Sequence, residues 1–174
     1  AVSDNDGEWF EVFNPLDTPV VIQGGIIAMQ GSTGSFKSHT VSEPIVIGAG
    51  EYFVWSRNPD ENLNGGVLAD STYGSLSIVN SGQARILLLA PGSSWDGETE
   101  PDPSWLVDQV LLSSGAFSSS KSGRSYQLHM SNGSSVSSTG NDDDANWCHT
   151  PSDTEYQFGV GDYGTPKSAN LSCF

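Results

Sequence analysis

No stretch of ten or more residues in this chain repeats its apolar side chains with the period of a helix. Short runs rich in Val, Ile, Leu and aromatics recur instead, punctuated by Gly, Pro, Asn and Ser. Little helix can be built from such a pattern, which is that of an all-β sandwich or barrel. The densest run is Glu8-Trp9-Phe10-Glu11-Val12-Phe13-Asn14-Pro15. Alternation sends Glu8, Phe10, Val12 and Asn14 to one side of a strand and Trp9, Glu11 and Phe13 to the other. Pro15 has no amide hydrogen and ends the ladder. Aromatics on both faces predict a strand inside a sheet and not on its rim.

Val20-Val21-Ile22 and Ile26-Ile27-Ala28-Met29 are separated by Gly24-Gly25, the mark of a bend or bulge. Residues 36–41, Ile45-Val46-Ile47 and Tyr52-Phe53-Val54-Trp55 follow as strands, and Val67, Leu68 and Tyr73 are expected to tuck into the core. Leu76-Ser77-Ile78-Val79, the turn Asn80-Ser81-Gly82 and residues 84–90 predict a hairpin. The nearly continuous apolar character of residues 84–90 marks a central strand covered on both faces. Residues 105–112 and 123–128 are further strands, and residues 91–103, 113–122 and 131–144 are polar loops. Residues 145–174 form a turn-rich tail with few aliphatics.

At 174 residues the chain has one domain as its default, and five Trp, five Tyr and seven Phe supply a core. No run approaches the apolar length of a membrane-spanning helix. Residues 1–3 lack the basic and apolar parts of a signal peptide, so an export signal would be removed or lie upstream. Twenty-one acidic residues against six basic ones give a formal net charge of −15. Nucleic acid and anionic membrane surfaces are thereby excluded as partners, because both are held by Lys and Arg. The acidity reads as a solvated surface or as an affinity for hard cations.

Cys148 and Cys173 flank most of the tail. Only His149 is near, too few ligands for structural zinc, which leaves a disulfide or two separate buried thiols. The disulfide is the economical reading. Closing a loop of about 25 residues would stabilise the fold by roughly 3–4 kcal/mol and would point to an oxidising, extracellular or cell-surface setting.

Sites of chemistry are scarce. His39, His129 and His149 stand in different segments without metal-site spacing, and neither a nucleophile elbow nor a phosphate-binding loop occurs. A non-catalytic protein is expected. Two acidic loops are candidate calcium sites: Asp96, Glu98, Glu100 and Asp102 in the first, Asp142 and Asp144 in the second. Pro101 stands where an EF-hand needs glycine, so the first is not an EF-hand.

The order of several motifs resembles the lamin tail domain, in the branch found in secreted and surface bacterial proteins. Gly7-Glu8-Trp9-Phe10-Glu11-Val12-Phe13-Asn14 resembles its G-E-W-(I/F)-E-(L/V)-x-N opening. Gly50-Glu51-Tyr52-Phe53-Val54-Trp55-Ser56-Arg57-Asn58 resembles its G-x-Y-x-V-L-A-R-N step, and Val107-Asp108-Gln109-Val110 its x-D-x-V strand. Gly164-Thr165-Pro166 with Asn170 is similar to its G-T-P-x-x-x-N ending. The resemblance spans residues 7–173 and implies a single domain over 1–174. It implies an immunoglobulin-like β-sandwich, here with a long turn-rich, disulfide-closed tail. It implies a binding and structural role and no catalysis. Family members usually begin with a further strand, for which residues 1–6 are too polar. A gap of that kind would accept an extended segment from another chain, including a copy of this one, as in a filament or lattice. The alternative reading is a calcium-dependent binding module of a larger secreted hydrolase.

Overall fold

The computed structural model describes residues 2–79, 82–112, 123–129, 136–159 and 161–172. A single helical turn, α1 (Asp4–Gly7), precedes β1 (Trp9–Phe13), β2 (Val20–Val21), β3 (Ile26–Gln30), β4 (Phe36–Thr40) and β5 (Val46–Ile47). Then come β6 (Tyr52–Ser56), β7 (Ser71–Thr72), β8 (Ala84–Leu89) and β9 (Leu106–Leu112). The short strands β10 (Tyr126–Leu128), β11 (Trp147–His149), β12 (Gln157–Phe158) and β13 (Asp162–Tyr163) complete an all-β chain.

The two largest sheets contribute to one apolar cluster. The larger has the order β4-β3-β8-β9, antiparallel throughout; the smaller has the order β1-β6-β7, with β7 parallel to β6. Alternation along the strands decides the core. Ile27 and Met29 of β3, Ile86 and Leu88 of β8, and Val110 and Leu112 of β9 share one cluster with Phe10 and Val12 of β1 and Phe53 and Trp55 of β6. Trp55 is fully buried, 5.5 Å from the Phe10 ring and 4.5 Å from that of Phe53.

The outer faces are covered too. On the larger sheet, Trp95 of the 91–103 loop meets Phe36 edge-on at 5.2 Å. Arg85 of β8 donates to Glu100 of that loop at 2.9 and 3.0 Å, to Gln30 at 3.2 Å and to Gln109 at 2.8 Å. On the smaller sheet, Trp9 meets Phe158 of the tail edge-on at 6.2 Å, and Glu11 accepts the Lys167 amide. The tail reaches this position through Gly159, where an added Cβ would stand 1.6 Å from the Gly65 carbonyl oxygen, at φ +54°.

The fold departs from the expectations above at several points. β1 ends its sheet, pairing only with β6, although its two faces both carry aromatics. Burial on two faces reports cover above and below; here the tail supplies one of those covers, and neither cover fills the edge. Leu76 to Val79 is not a strand, and β8 pairs with β3 and β9 in place of the expected hairpin. Leu76 and Ile78 are still buried, held because the Glu8 carboxylate accepts from the Ser77 hydroxyl at 3.1 Å and the Ile78 amide at 3.3 Å. Val67 and Tyr73 are buried as expected, but Leu68 is 62% exposed. The expected loop at residues 113–122 lies outside the described residues.

Asn14 ends β1 and turns the chain. It is buried, its amide donates to the carbonyls of Thr18, Ile47 and Gly48 at 2.9–3.1 Å, and its oxygen accepts from Leu16 N–H at 3.1 Å. Asn14→Ala orphans these groups and is expected to cost about 2 kcal/mol, read as a lower urea midpoint with an unchanged slope.

Candidate functional site

Four strands end the two sheets: β1, β7, β4 and β9. β7 is only two residues long. β4 is largely exposed and places Lys37 along its length, a charge that discourages pairing. β9 begins next to an irregularity between Leu88 and Leu89, and it directs Asp108 to the same face as Val110 and Leu112. β1 is five residues long with an unbroken register to β6, and its one charged side chain, Glu11, is turned under the tail, where it accepts the Lys167 amide.

The direction of its free backbone groups follows from the ladder. Arg57 N–H donates to the Glu8 carbonyl at 2.9 Å, and Asn14 N–H to the Glu51 carbonyl at 3.0 Å. Antiparallel pairing alternates, so Phe10 and Val12 turn their N–H and C=O toward β6, and Trp9, Glu11 and Phe13 turn theirs away. Among the described residues those outward groups have no backbone partner. The strand is held straight from both ends: Glu8 pairs with Arg57 at 3.4 Å, and Asn14 makes the four bonds described above. Phe10 rests on Trp55 and Tyr73 below, and Phe13 lies 4.7 Å from Tyr52 above.

Beside this edge lies a charged cluster. Lys167, itself at φ 62°, donates its backbone N–H to Glu11 and its ammonium to Asp70, each at 2.5 Å. Asp70 in turn accepts from Val54 N–H at 2.9 Å. Burial pushes the Glu11 carboxyl up to about 7; the Lys167 amide and ammonium oppose this, and the Asp70 charge adds to it. Its place between Trp9 and Phe13 on one strand face was visible in the sequence, though not its significance.

Four of the six residues expected to hold calcium, Asp96, Glu100, Asp102 and Asp144, make hydrogen bonds or ion pairs within the chain. Asp96 accepts from the Glu98 and Thr99 amides and the Thr99 hydroxyl, which together hold its carboxyl below the usual range. Glu100 pairs with Arg85, and Asp102 accepts the Ser104 amide at the start of a short 3-10 turn. Glu98 is exposed on the same loop. Asp144 accepts from the Tyr126 hydroxyl at 2.8 Å, while Asp142 keeps one buried carboxylate oxygen without a hydrogen-bond partner. Among the described residues no three His, Cys, Asp or Glu side chains gather as metal donors.

A different grouping forms between β9 and the 140–147 turn. Asn141 donates its amide to Asp108 at 2.9 Å, and its own amide oxygen, buried, finds no partner. Burial raises the Asp108 carboxyl, with the neighbouring Asp142 charge adding to the rise and the Asn141 and Gln109 hydrogen bonds opposing it. Asp108 was legible in the sequence as a lone acid within an apolar strand, and Asn141 as the first residue of the second acidic loop.

Under the β10–β11 pair lies a buried polar network. Thr150 shares hydrogen bonds with Ser125 at 2.6 Å and Gln127 at 3.1 Å, and its carbonyl accepts from Arg124 at 2.5 Å. Cys148 stands in β11; no free cysteine occurs among the described residues, which do not include Cys173. His39 lies on β4, His149 on β11 and His129 directly after β10. No family model, no curated protein and no solved structure matches the chain.

Proposed function

We propose that the protein is a non-catalytic binding module that takes an extended segment of another protein onto the open edge of β1. The observation that carries this reading is the outward row of unpaired backbone groups at Trp9, Glu11 and Phe13. Main-chain hydrogen bonds would supply affinity, and Trp9 and Phe13 would flank the added strand. Copies of this chain are the simplest partner, giving a filament or lattice.

Within the same reading the two sheets form an immunoglobulin-like sandwich of the lamin-tail kind, sharing one aromatic core. A Cys148–Cys173 disulfide closes the tail; the absence of a free thiol at Cys148 and the lack of any third cysteine in the sequence support it. An extracellular or cell-surface setting follows from that bond and from the acidic surface. Nucleic acid and anionic membrane remain outside the partner class, on the net charge of −15.

Two substitutions test the edge. Phe13→Pro removes one outward N–H without touching a bond to β6, whereas Phe13→Ala keeps that N–H and loses the ring. Self-association, measured by sedimentation velocity across a concentration series, is expected to persist in Phe13→Ala and to weaken at least tenfold in Phe13→Pro. Equal behaviour of the two variants, or a monomeric wild type at all concentrations together with no binding of strand-forming peptides, would refute the reading.

A further inference from the structure

We propose that Asp108, Asn141 and Asp142 bind a calcium ion, which fastens the 140–147 turn to the end strand β9. Three observations converge there. Asn141 is only 9% exposed, its amide head lies against Asp108, and its oxygen is without a hydrogen-bond partner. Asp142, the next residue, also has a buried carboxylate oxygen without a partner. Neither Asp108 nor Asp142 takes part in any of the ion pairs of the described residues.

Buried polar oxygens are almost always satisfied, so two orphans on consecutive residues near the half-buried Asp108 carboxylate call for a positive ligand. The donors are all oxygens, two of them carboxylates and one a neutral amide. That set excludes soft metals and suits a hard divalent cation. Calcium fits better than magnesium because it accepts mixed, irregular oxygen donors, whereas magnesium demands a near-octahedral shell. Water and carbonyl oxygens would complete the shell. The Asn141 N–H faces the Asp108 carboxylate. A half turn of the amide about its terminal torsion exchanges nitrogen for oxygen and would place all three donors toward one ion. With two charges and one amide, the affinity belongs to the range of extracellular modules, a Kd on the order of 0.1–1 mM.

The turn carries its own reporter. Trp147 donates its indole N–H to the Asn141 carbonyl at 2.8 Å, so the ring stands next to the proposed ion. Terbium, a calcium surrogate, should therefore luminesce when Trp147 is excited, and calcium should quench the signal by competition. Whole protein stripped with EDTA is titrated with terbium, then with CaCl2 and MgCl2. Wild type is expected to show saturable emission displaced by calcium at least tenfold more readily than by magnesium. Its Tm should rise by roughly 5 °C in 10 mM calcium. Asp142→Asn and Asn141→Ala should each weaken terbium binding at least tenfold, while Asp96→Asn and Asp144→Asn leave it unchanged. Trp147→Phe should abolish the emission but keep the calcium-dependent rise in Tm. No Tm change with calcium and no saturable emission in wild type would overturn the proposal. Emission unchanged by Asp142→Asn and Asn141→Ala, or lost on substitution of Asp96, would do so equally by placing the ion elsewhere.

Discussion

Replacing Trp55 by alanine is expected to lower the stability of the fold by about 3–5 kcal/mol, the cost of emptying an aromatic-sized site in a packed core. Trp55 is fully buried, lies between the rings of Phe10 and Phe53, and belongs to the cluster that both large sheets share. Its indole N–H has no hydrogen-bond partner, so the ring is held by packing alone. Neighbours on two sheets cannot close the hole without sliding the sheets together. For a chain of this size the loss corresponds to a fall of roughly 10–15 °C in Tm. Trp55→Phe keeps most of the volume and removes the orphaned N–H, and should cost less than half as much. A Trp55→Ala protein melting within about 3 °C of wild type would show that the two sheets do not share this core.

Stability is also expected to fall as pH rises from about 4.5 to 7, by at most about 3 kcal/mol, because of Glu11. The carboxyl has an ordinary value of 4.5 and is pushed up to about 7 in the folded chain. Between those values the unfolded state has lost its proton and the folded state has kept it, so raising the pH favours unfolding. Below 4.5 both states are protonated and the contribution is fully present; above 7 it is gone. The groups facing Glu11 are Asp70, which strengthens the effect, Lys167, which weakens it, and Tyr52, whose hydroxyl is itself raised by burial and by the Glu11 charge. Glu8 and Asp108 are raised by burial as well and add in the same direction. Glu11→Gln keeps an oxygen for the Lys167 amide and removes the charge. Urea unfolding at pH 4.5 and 8 should find the variant close to wild type at the lower pH and more stable at the higher. Parallel pH dependences for the two proteins would rule out Glu11 as the source.

Glu11 shows how far the sequence can be read. The alternation that made β1 legible put a carboxylate between Trp9 and Phe13, but the cover that buries it arrives 156 residues later at Lys167. Local pattern fixes which side a residue takes, and only the returning tail decides whether that side is wet. The same limit explains the edge. Aromatics on both faces of β1 predict an interior strand, whereas the tail covers the outer face without pairing to the strand. The apolar run at residues 84–90 predicts a central covered strand, and β8 (Ala84–Leu89) is one, flanked by its partners β3 and β9. Leu76 to Val79 has the alternation of a strand and the burial of one, yet the Glu8 side chain takes the Ile78 amide that a ladder would have used. Acidic spacing alone points to two loops for calcium, Asp96 to Asp102 and Asp142 to Asp144. The first loop's Asp96, Glu100 and Asp102 meet backbone amides, a hydroxyl and an arginine, which spacing does not reveal.

The open edge of β1 is tested most directly by amide hydrogen exchange, resolved residue by residue in dilute and associated protein. In dilute protein the amides of Phe10 and Val12 should exchange slowly and those of Trp9, Glu11 and Phe13 quickly, since only the first pair donates to β6. On association the three fast amides should become protected while the other two change little. Uniform protection of all five amides in dilute protein, or three amides that stay fast after association, would contradict strand addition at this edge.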